Sequence, residues 1–281
     1  MGGLHFFGFF DIITVDPRIP GQGVPRGKGI SDEDEDEMRI VFFGSSHGRP
    51  EPGRRCSSAL IEVGERRYFI DMGTQSIEQL ITRGLPPESV AAIFITHMHG
   101  DHTNGLLSFL DLCSWTYREA DPAVYLPGDA EGTREAIAAW LACNGTRLRP
   151  FAFHRVEAGQ IYDDGALRVS AYQTKHTEAS YAYLVEGEGK RVLFGGDMSH
   201  GGPATDFPTE VLEKPLDLAV CESAHFRATE YVPVLGGGRG LGMLCFNHYS
   251  PRFLSSVLEA KEALSGEFPV ILATDGLEIT L

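Results

Sequence analysis

The sequence predicts an α/β domain built from two sheets that are covered by helices. From Met38 onward, short apolar runs and tight turns alternate with segments of helical spacing. Each half of this region contains several strands followed by helices. The chain has 281 residues, of which 42% are hydrophobic, so it can bury one large core or two small ones.

The region starts with strands. Arg39–Phe43 is the first apolar run. Ala59–Val63 and Arg67–Ile70 are predicted to pair as a hairpin because Gly64-Glu65 forms a short turn between them. Ser76–Thr82 is predicted to be a short helix.

The next elements surround the histidine-rich segment at residues 97–102. Val90–Thr96 is apolar and predicts a buried strand, and Ala123–Leu126 predicts another. Leu106–Tyr117 has apolar residues at helical spacing. Glu131–Cys143 also predicts a helix, since Asn144-Gly145 is a suitable C-terminal stop.

The second half repeats this organisation. A turn at Gly187-Glu188-Gly189 joins two of its strands into a hairpin, and Asp275-Gly276 precedes the last segment. The predicted elements are the strands Leu167–Gln173, Tyr181–Glu186, Arg191–Phe194, Leu216–Cys221, Gly242–Phe246 and Pro269–Thr274, the helix Arg252–Ser265 and the final segment Leu277–Leu281.

Residues 1–37 differ in composition from the predicted domain at 38–281. Four phenylalanines, between Phe6 and Phe10, precede a Pro/Gly-rich stretch and the acidic run Asp32–Glu37. One interpretation is a loosely ordered extension. The other is an arm whose phenylalanines dock on its own domain or on a partner subunit.

The charge balance argues against binding of long nucleic acid. The formal net charge is −15, and without the acidic run 33 acidic residues face 24 basic ones, a net charge of −9. Such a chain lacks the basic surface that phosphate contacts require. A small, anionic substrate stays compatible with this charge, because bound cations would dominate the local field. A homodimer is left open.

The sequence also predicts a cytoplasmic protein. Its five cysteines form no CxxC motif and are expected to be mostly buried, reduced thiols. No apolar stretch reaches the ~20 residues of a membrane span. The first residues lack a basic region and a cleavage site, so no signal peptide is expected.

Residues 97–102 read HMHGDH and directly follow an apolar strand. In an extended segment His97, His99 and Asp101 start on one face, and a turn at Gly100 brings His102 toward the same pocket. Imidazole and carboxylate ligands suit zinc, with manganese or iron as alternatives. The cluster therefore predicts a site for two divalent metal ions.

Three further candidate ligands follow other predicted strands. They are His176 after Gln173, Asp197 in the segment Gly195-Gly196-Asp197, and His248 in Asn247-His248-Tyr249-Ser250. The two glycines would let the backbone approach a metal closely.

These motifs, in this order, resemble the metallo-β-lactamase superfamily. The segment Phe69–Gly73, with Asp71 at a strand end, matches a further motif. The resemblance covers about residues 38–281 and implies a four-layer αββα sandwich with the site at one edge between two mixed sheets.

The resemblance also implies how the ligands are divided. Asp197 would bridge the two ions, and Asp71 would orient a histidine or a ligand loop. The two ligand sets would be His97, His99 and His176 for one ion, and Asp101, His102 and His248 for the other.

Within the superfamily the chain most resembles the ribonuclease Z and phosphodiesterase branch. Asp197 stands where true metallo-β-lactamases commonly have cysteine, which argues against β-lactam hydrolysis. Ribonuclease Z carries a tRNA-gripping arm between the third histidine and the bridging aspartate, and the corresponding 21-residue interval leaves room only for a hairpin. The arm is therefore expected to be absent, and tRNA processing is disfavoured.

The resulting hypothesis is a dinuclear metal hydrolase in which a water molecule between the ions attacks a small phosphodiester or cyclic phosphate. Asp101 would position or deprotonate that water. Hydrolysis of a lactone, thioester or other carboxylic ester at the same site is the alternative, and a non-catalytic binding protein is a third hypothesis.

Other polar residues have open roles. His225 is a candidate proton donor with Glu222 as its orienting partner, or else a histidine of a nearby loop. His47 either lines the pocket or lies in a surface loop. Arg49, Arg54 and Arg55 either hold a phosphate or are solvated.

Overall fold

The computed structural model describes residues 37–49 and 51–281, which fold into two seven-stranded sheets. In spatial order the first sheet contains β14 (Glu278–Thr280), β1 (Met38–Gly44), β2 (Ser58–Val63), β3 (Arg66–Ile70), β4 (Val90–Phe94), β5 (Ala123–Leu126) and β6 (Phe153–Arg155). The second contains β13 (Val270–Leu272), β12 (Leu244–Tyr249), β11 (Leu218–Ser223), β10 (Lys190–Phe194), β9 (Tyr181–Gly187), β8 (Arg168–Gln173) and β7 (Gly159–Asp163). Apart from Glu37, the predicted N-terminal extension lies outside the described residues.

Helices cover the outer faces of both sheets. The first sheet carries α1 (Ser76–Thr82), α2 (Gly100–Trp115) and α3 (Ala130–Ala142), and the second carries α5 (Val232–Leu235) and α6 (Leu254–Leu264). The short α4 (Pro203–Asp206) lies in the connection between β10 and β11. No helix in the described part of the chain is both long enough and apolar enough to cross a lipid bilayer.

Three apolar layers hold the molecule together. Side chains such as Phe42 and Tyr183 pack between the two sheets. Phe109 of α2 packs on the first sheet, and Val257 of α6 packs on the second. Because each sheet is buried on both faces, its central strands read as continuous apolar runs. The predicted two-sheet sandwich covered by helices is confirmed.

Several element boundaries differ from the predictions. Helix α2 begins at Gly100 and therefore includes Asp101 and His102, so the predicted extended alternation ends at His99. The strands β6 and β7 were not predicted, because both are short and mostly polar. Cys143 is exposed at the end of α3, in contrast to the expected burial, whereas Cys113, Cys221 and Cys245 are buried.

Asp164 connects the two sheets. Its Oδ2 accepts hydrogen bonds from Arg66 (2.6 Å) and Tyr68 (2.8 Å) of β3 and from Tyr162 (2.9 Å) of β7. Burial raises the pKa of Asp164, but the hydrogen bond from the Leu167 N–H and those from the side chains lower it to about 2. This carboxylate therefore contributes stability above its unfolded pKa of about 3.9, and that contribution is lost as the pH falls through 2.

We expect Asp164→Ala to lower the free energy of unfolding by about 1–3 kcal/mol at pH 7, because the Tyr68 and Tyr162 hydroxyls lose their acceptor. Urea unfolding measures this loss. Asp163→Ala is the matched control, since Asp163 is exposed and should matter little. Equal destabilisation by the two variants would contradict the stabilising role of Asp164. So would a difference in unfolding free energy between wild type and Asp164→Ala that does not become smaller from pH 4 to pH 2.

Candidate metal centre

The predicted ligands meet at one edge of the sandwich. The strands β3 and β4 run parallel, as do β10, β11 and β12. Residues at the carboxyl ends of parallel strands come together. Asp71 follows β3, His97 comes shortly after β4, Asp197 follows β10, and Glu222 and His248 lie near the ends of β11 and β12.

Three imidazole rings form the first group: His97, His99 and His176. The Nδ1 atom of His99 lies 3.0 Å from Nε2 of His97 and 3.2 Å from Nε2 of His176. Nitrogen ligands of one tetrahedral zinc ion, bound at about 2.0–2.1 Å, are separated by about 3.3 Å. The three rings are therefore spaced like ligands of a single ion.

The second group consists of Asp101, His102 and His248. The Oδ2 atom of Asp101 lies 3.4 Å from Nε2 of His102 and 3.7 Å from Nε2 of His248. Both histidines are buried. The structure thus brings together the second predicted ligand set.

Asp197 lies between the groups. Its Oδ2 is 3.7 Å from Nε2 of His97 in the first group and 3.3 Å from Nε2 of His248 in the second, and its Oδ1 is 3.5 Å from Nε2 of His102. Burial raises the pKa of Asp197, but His248 and His102 lower it well below its ordinary value. An ionised carboxylate in this position suits the predicted bridging role.

The hydrogen-bonding state of these atoms fits a metal centre. Among the described residues, the buried His102 Nε2 and Asp197 Oδ1 have no hydrogen-bond partner. Buried polar atoms are normally satisfied, and leaving one unsatisfied is costly. Burial lowers the pKa of His97 to about 2, so its ring is neutral and can donate a lone pair. The donor set of imidazoles and carboxylates therefore fits divalent ions such as zinc.

One carboxylate fixes a histidine in each group. Asp71 Oδ2 accepts from Nδ1 of His102 at 2.7 Å, and Thr96 Oγ1 donates to the same carboxylate at 2.9 Å. Because the Thr96 hydroxyl hydrogen is used this way, its oxygen can accept from Nδ1 of His97, 3.2 Å away. In both rings Nε2 is left to face the centre. Asp71 also adopts a positive φ of 60°.

We expect Asp71→Asn to weaken metal binding about 10–100-fold, because His102 loses the carboxylate that orients it. Asparagine tolerates positive φ, so this variant changes charge without straining the backbone. Titration of apoprotein with metal against a competing chelator measures the effect. An unchanged affinity would show that Asp71 does not orient the ligands.

Glycines allow α2 to approach the end of β3. A Cβ atom at Gly73 would lie 1.7 Å from the Asp101 carbonyl oxygen, and one at Gly105 would lie 1.6 Å from the Thr74 carbonyl oxygen. Neither position can therefore hold a side chain. This close packing places Asp101 and His102, in the first turn of α2, next to Asp71.

His225 lies beside the first group and is held by Glu222. Its Nδ1 is 2.8 Å from Glu222 Oε1 and 3.8 Å from Asp197 Oδ2. Glu222 is buried and also accepts from the Met198 N–H at 2.9 Å. Burial lowers the pKa of His225, but the hydrogen bond and charge of Glu222 outweigh it and raise that pKa. His176, Asp197 and His225 also form a third group of candidate ligand atoms.

Two residues before β2, His47 and Arg54, are engaged by neighbouring protein groups. His47 Nδ1 accepts from the Arg49 N–H at 3.1 Å, and its Nε2 lies 3.0 Å from Glu51 Oε1. The Arg54 guanidinium is directed at protein acceptors, and Arg55 pairs with Asp275 at 3.4 Å. Arg54 is therefore removed as a phosphate-binding candidate.

Sequence reasoning missed residues that support the ligand loops. Asp206 Oδ2 accepts from the N–H groups of Ser199 (2.6 Å) and Lys175 (3.2 Å), and so ties the loop after Asp197 to the loop of His176. His200 Nδ1 lies 3.1 Å from the His225 carbonyl oxygen. No sequence signal marked Asp206, while His200 could have been found by its distance of three residues from Asp197.

Comparison with known proteins identifies similar chains. The model of a protein family described as Anti-Pycsar protein Apyc1 matches residues 38–206. Ribonuclease Z of Exiguobacterium sibiricum is 29% identical over 198 residues, which are 69% of this chain and 64% of that enzyme. The chain spans about half to two thirds of the length of the ribonucleases it matches.

Solved structures share the fold. The metallo-β-lactamase fold protein YhfI from Bacillus subtilis matches with a TM-score of 0.70 and 18% identity, covering 87% of this chain and all of that one. The short form of human tRNase Z matches with a TM-score of 0.64 and 21% identity, covering 86% of this chain and 98% of that one. These matches confirm the metallo-β-lactamase fold.

Proposed function

Since the chain belongs to the family described as Anti-Pycsar protein Apyc1 and has the metallo-β-lactamase fold, we propose that it is a metal-dependent phosphodiesterase of small anionic substrates. The observation that carries this proposal is the His225–Glu222 pair beside a cluster of seven predicted ligands. A phosphodiester has a poor leaving group, whose oxygen needs a proton as its bond to phosphorus breaks. The match to ribonuclease Z also favours attack at phosphorus.

The residues have distinct tasks in the proposed reaction. When bound, two divalent cations would supply Lewis acidity and make water a stronger nucleophile. The first would be held by His97, His99 and His176, the second by Asp101, His102 and His248, with Asp197 shared.

In this reaction Asp101 orients the attacking water, and His225 donates a proton to the leaving group. Burial raises the pKa of Asp101, but the charges of the neighbouring His102 and His248 lower it, so this carboxylate stays ionised and orients water as an acceptor. His225 Nδ1 is engaged by Glu222, so its Nε2 gives the proton to the leaving oxygen. Glu222 holds the protonated ring in place.

The connection between the His176 and Asp197 loops supports a small substrate. It is filled by β9, β10 and a tight turn in which Glu188 and Gly189 have φ values of 48° and 70°. No chain remains there for a tRNA-gripping arm. Together with the net charge of −9 without the acidic run, this favours a small diester or cyclic phosphate over tRNA.

The test is a substrate panel with metal-replete protein. We expect hydrolysis of bis-p-nitrophenyl phosphate and of cyclic nucleotides, loss of this activity on chelation, and its return on adding zinc or manganese. The same protein should leave lactones, thioesters and precursor tRNA largely intact. Faster hydrolysis of a lactone or thioester would favour the carboxylic ester alternative, and metal uptake with no activity on any substrate would favour a binding protein.

A further inference from the structure

We propose that Arg54 is a positioning residue that sets the ion-binding geometry of the second group, Asp101, His102 and His248. This inference rests on the proposed function, because it takes the second group to hold an ion. Arg54 does not face that ion. It acts through the backbone of the segments that carry or contact the ligands.

The Arg54 side chain is largely buried, with 13% of its side-chain surface exposed. Its guanidinium lies over the Tyr249 ring, with Cζ 4.0 Å from the ring centre. Nη1 donates to the Tyr249 carbonyl oxygen at 3.2 Å, and Nη2 donates to the Ser45 carbonyl oxygen. Nη1 also pairs with Glu51 Oε2 at 3.2 Å. The planar fork of arginine is suited to such simultaneous contacts.

These contacts surround His248 on both sides. The Ser45 carbonyl oxygen that accepts from Arg54 also accepts from the His248 N–H at 3.1 Å. The Tyr249 carbonyl oxygen belongs to the residue that follows His248. His248 has a positive φ of 51°, a conformation that non-glycine residues keep only when their surroundings impose it. Arg54 contributes to that constraint by holding the Ser45 and Tyr249 carbonyl groups.

The same segment contacts Asp101. A Cβ atom at Gly48 would lie 3.1 Å from Asp101 Oδ2, so the backbone there packs directly against the carboxylate. Ser45 is also anchored from the other side, because its N–H and hydroxyl donate to Asp275 Oδ1 at 3.0 and 2.8 Å. Loss of the Arg54 contacts should make His248 and the backbone at Gly48, which packs against Asp101, more mobile. The first group should be less affected, because the contact of Thr96 with His97 does not involve Arg54.

The direction of the change in ion affinity distinguishes a positioning role of Arg54 from a purely electrostatic one. A guanidinium close to a metal centre repels cations, so removing its charge should by Coulomb's law tighten ion binding. Positioning predicts the opposite, namely weaker binding of the second ion. Lysine keeps the charge but not the fork, so Arg54→Lys tests geometry alone.

The experiment titrates apoprotein with Co²⁺ and follows its visible absorption, comparing wild type with Arg54→Gln and Arg54→Lys. Arg55→Gln is the matched control. It removes the same charge as Arg54→Gln, but from a side chain that is 51% exposed. We expect both Arg54 variants to bind the second ion about 10–100-fold more weakly, with an altered absorption band for that ion. The first group should still take up its ion, which also shows that the variants are folded.

The outcomes are distinguishable. If Arg54→Gln binds the second ion as tightly as wild type or more tightly, or if Arg54→Lys retains wild-type affinity, the positioning role is wrong. Equal weakening of second-ion binding in Arg55→Gln would show that the loss is not specific to the Arg54 contacts, and it would overturn the positioning role as well. Uptake of only one ion by the wild type would instead overturn the two-ion centre from which the proposed function starts.

Discussion

Replacing Asp197 by alanine is expected to remove most bound metal and essentially all hydrolysis. Asp197 is 3% exposed, and its carboxylate lies within 3.3–3.8 Å of ring nitrogens from both groups. Without it, the imidazoles of His97, His102 and His248 face one another with no shared anionic ligand. Metal content should fall from about two ions per chain to less than one, and kcat/KM by about a thousandfold or more.

Elemental analysis and rates on bis-p-nitrophenyl phosphate measure the two losses on the same sample. Asp197→Asn is the control for volume, because it keeps the shape and one possible ligand oxygen while removing the charge. We expect it to retain more metal than the alanine variant. Retention of both ions by Asp197→Ala would show that the bridging residue was assigned wrongly.

His225→Ala is expected to lower kcat about 10²–10⁴-fold while metal content stays at the wild-type value. The loss should be largest for substrates with alkoxide leaving groups and smallest for p-nitrophenolate, which departs without a proton. This dependence identifies a general acid. If His225→Ala loses metal instead, the group of His176, Asp197 and His225 is the true ligand set on that side.

Glu222→Gln provides the companion variant. Glu222 raises the pKa of His225, so its neutralisation should lower that pKa. A general acid works while protonated, and its activity is lost as the pH rises through its pKa. The alkaline limb of the kcat/KM profile should therefore move to lower pH in Glu222→Gln, with the metal content preserved. An unmoved alkaline limb would separate Glu222 from proton donation.

The clustering of the candidate ligands was predictable because each comes at or just beyond the end of an apolar run, and strand ends of such a sandwich meet at one edge. His176, Asp197 and His248 stand out in this way from the sequence alone. Helix α1 was predicted with its observed bounds, Ser76–Thr82, since its pattern is local.

The remaining features depend on tertiary packing. The start of α2 at Gly100 follows from its close approach to β3, which a local pattern does not contain. Thr96 reaches Asp71 across 25 positions, and Arg54 reaches Tyr249 across 195. Such contacts depend on the final fold. The sequence therefore identified the candidate ligands and the supporting carboxylates Asp71 and Glu222, but not the contacts of Thr96 and Arg54.

The hydrogen bonds of Asp71 should couple the binding of the two ions. Through His102 directly, and through Thr96 to His97, one carboxylate restrains a ring in each group. Ordering these rings costs conformational entropy, and an ion that enters one group orders the shared carboxylate for the other. Binding of the two ions should then be positively cooperative, and by thermodynamic linkage each ion raises the affinity for the other by the same factor.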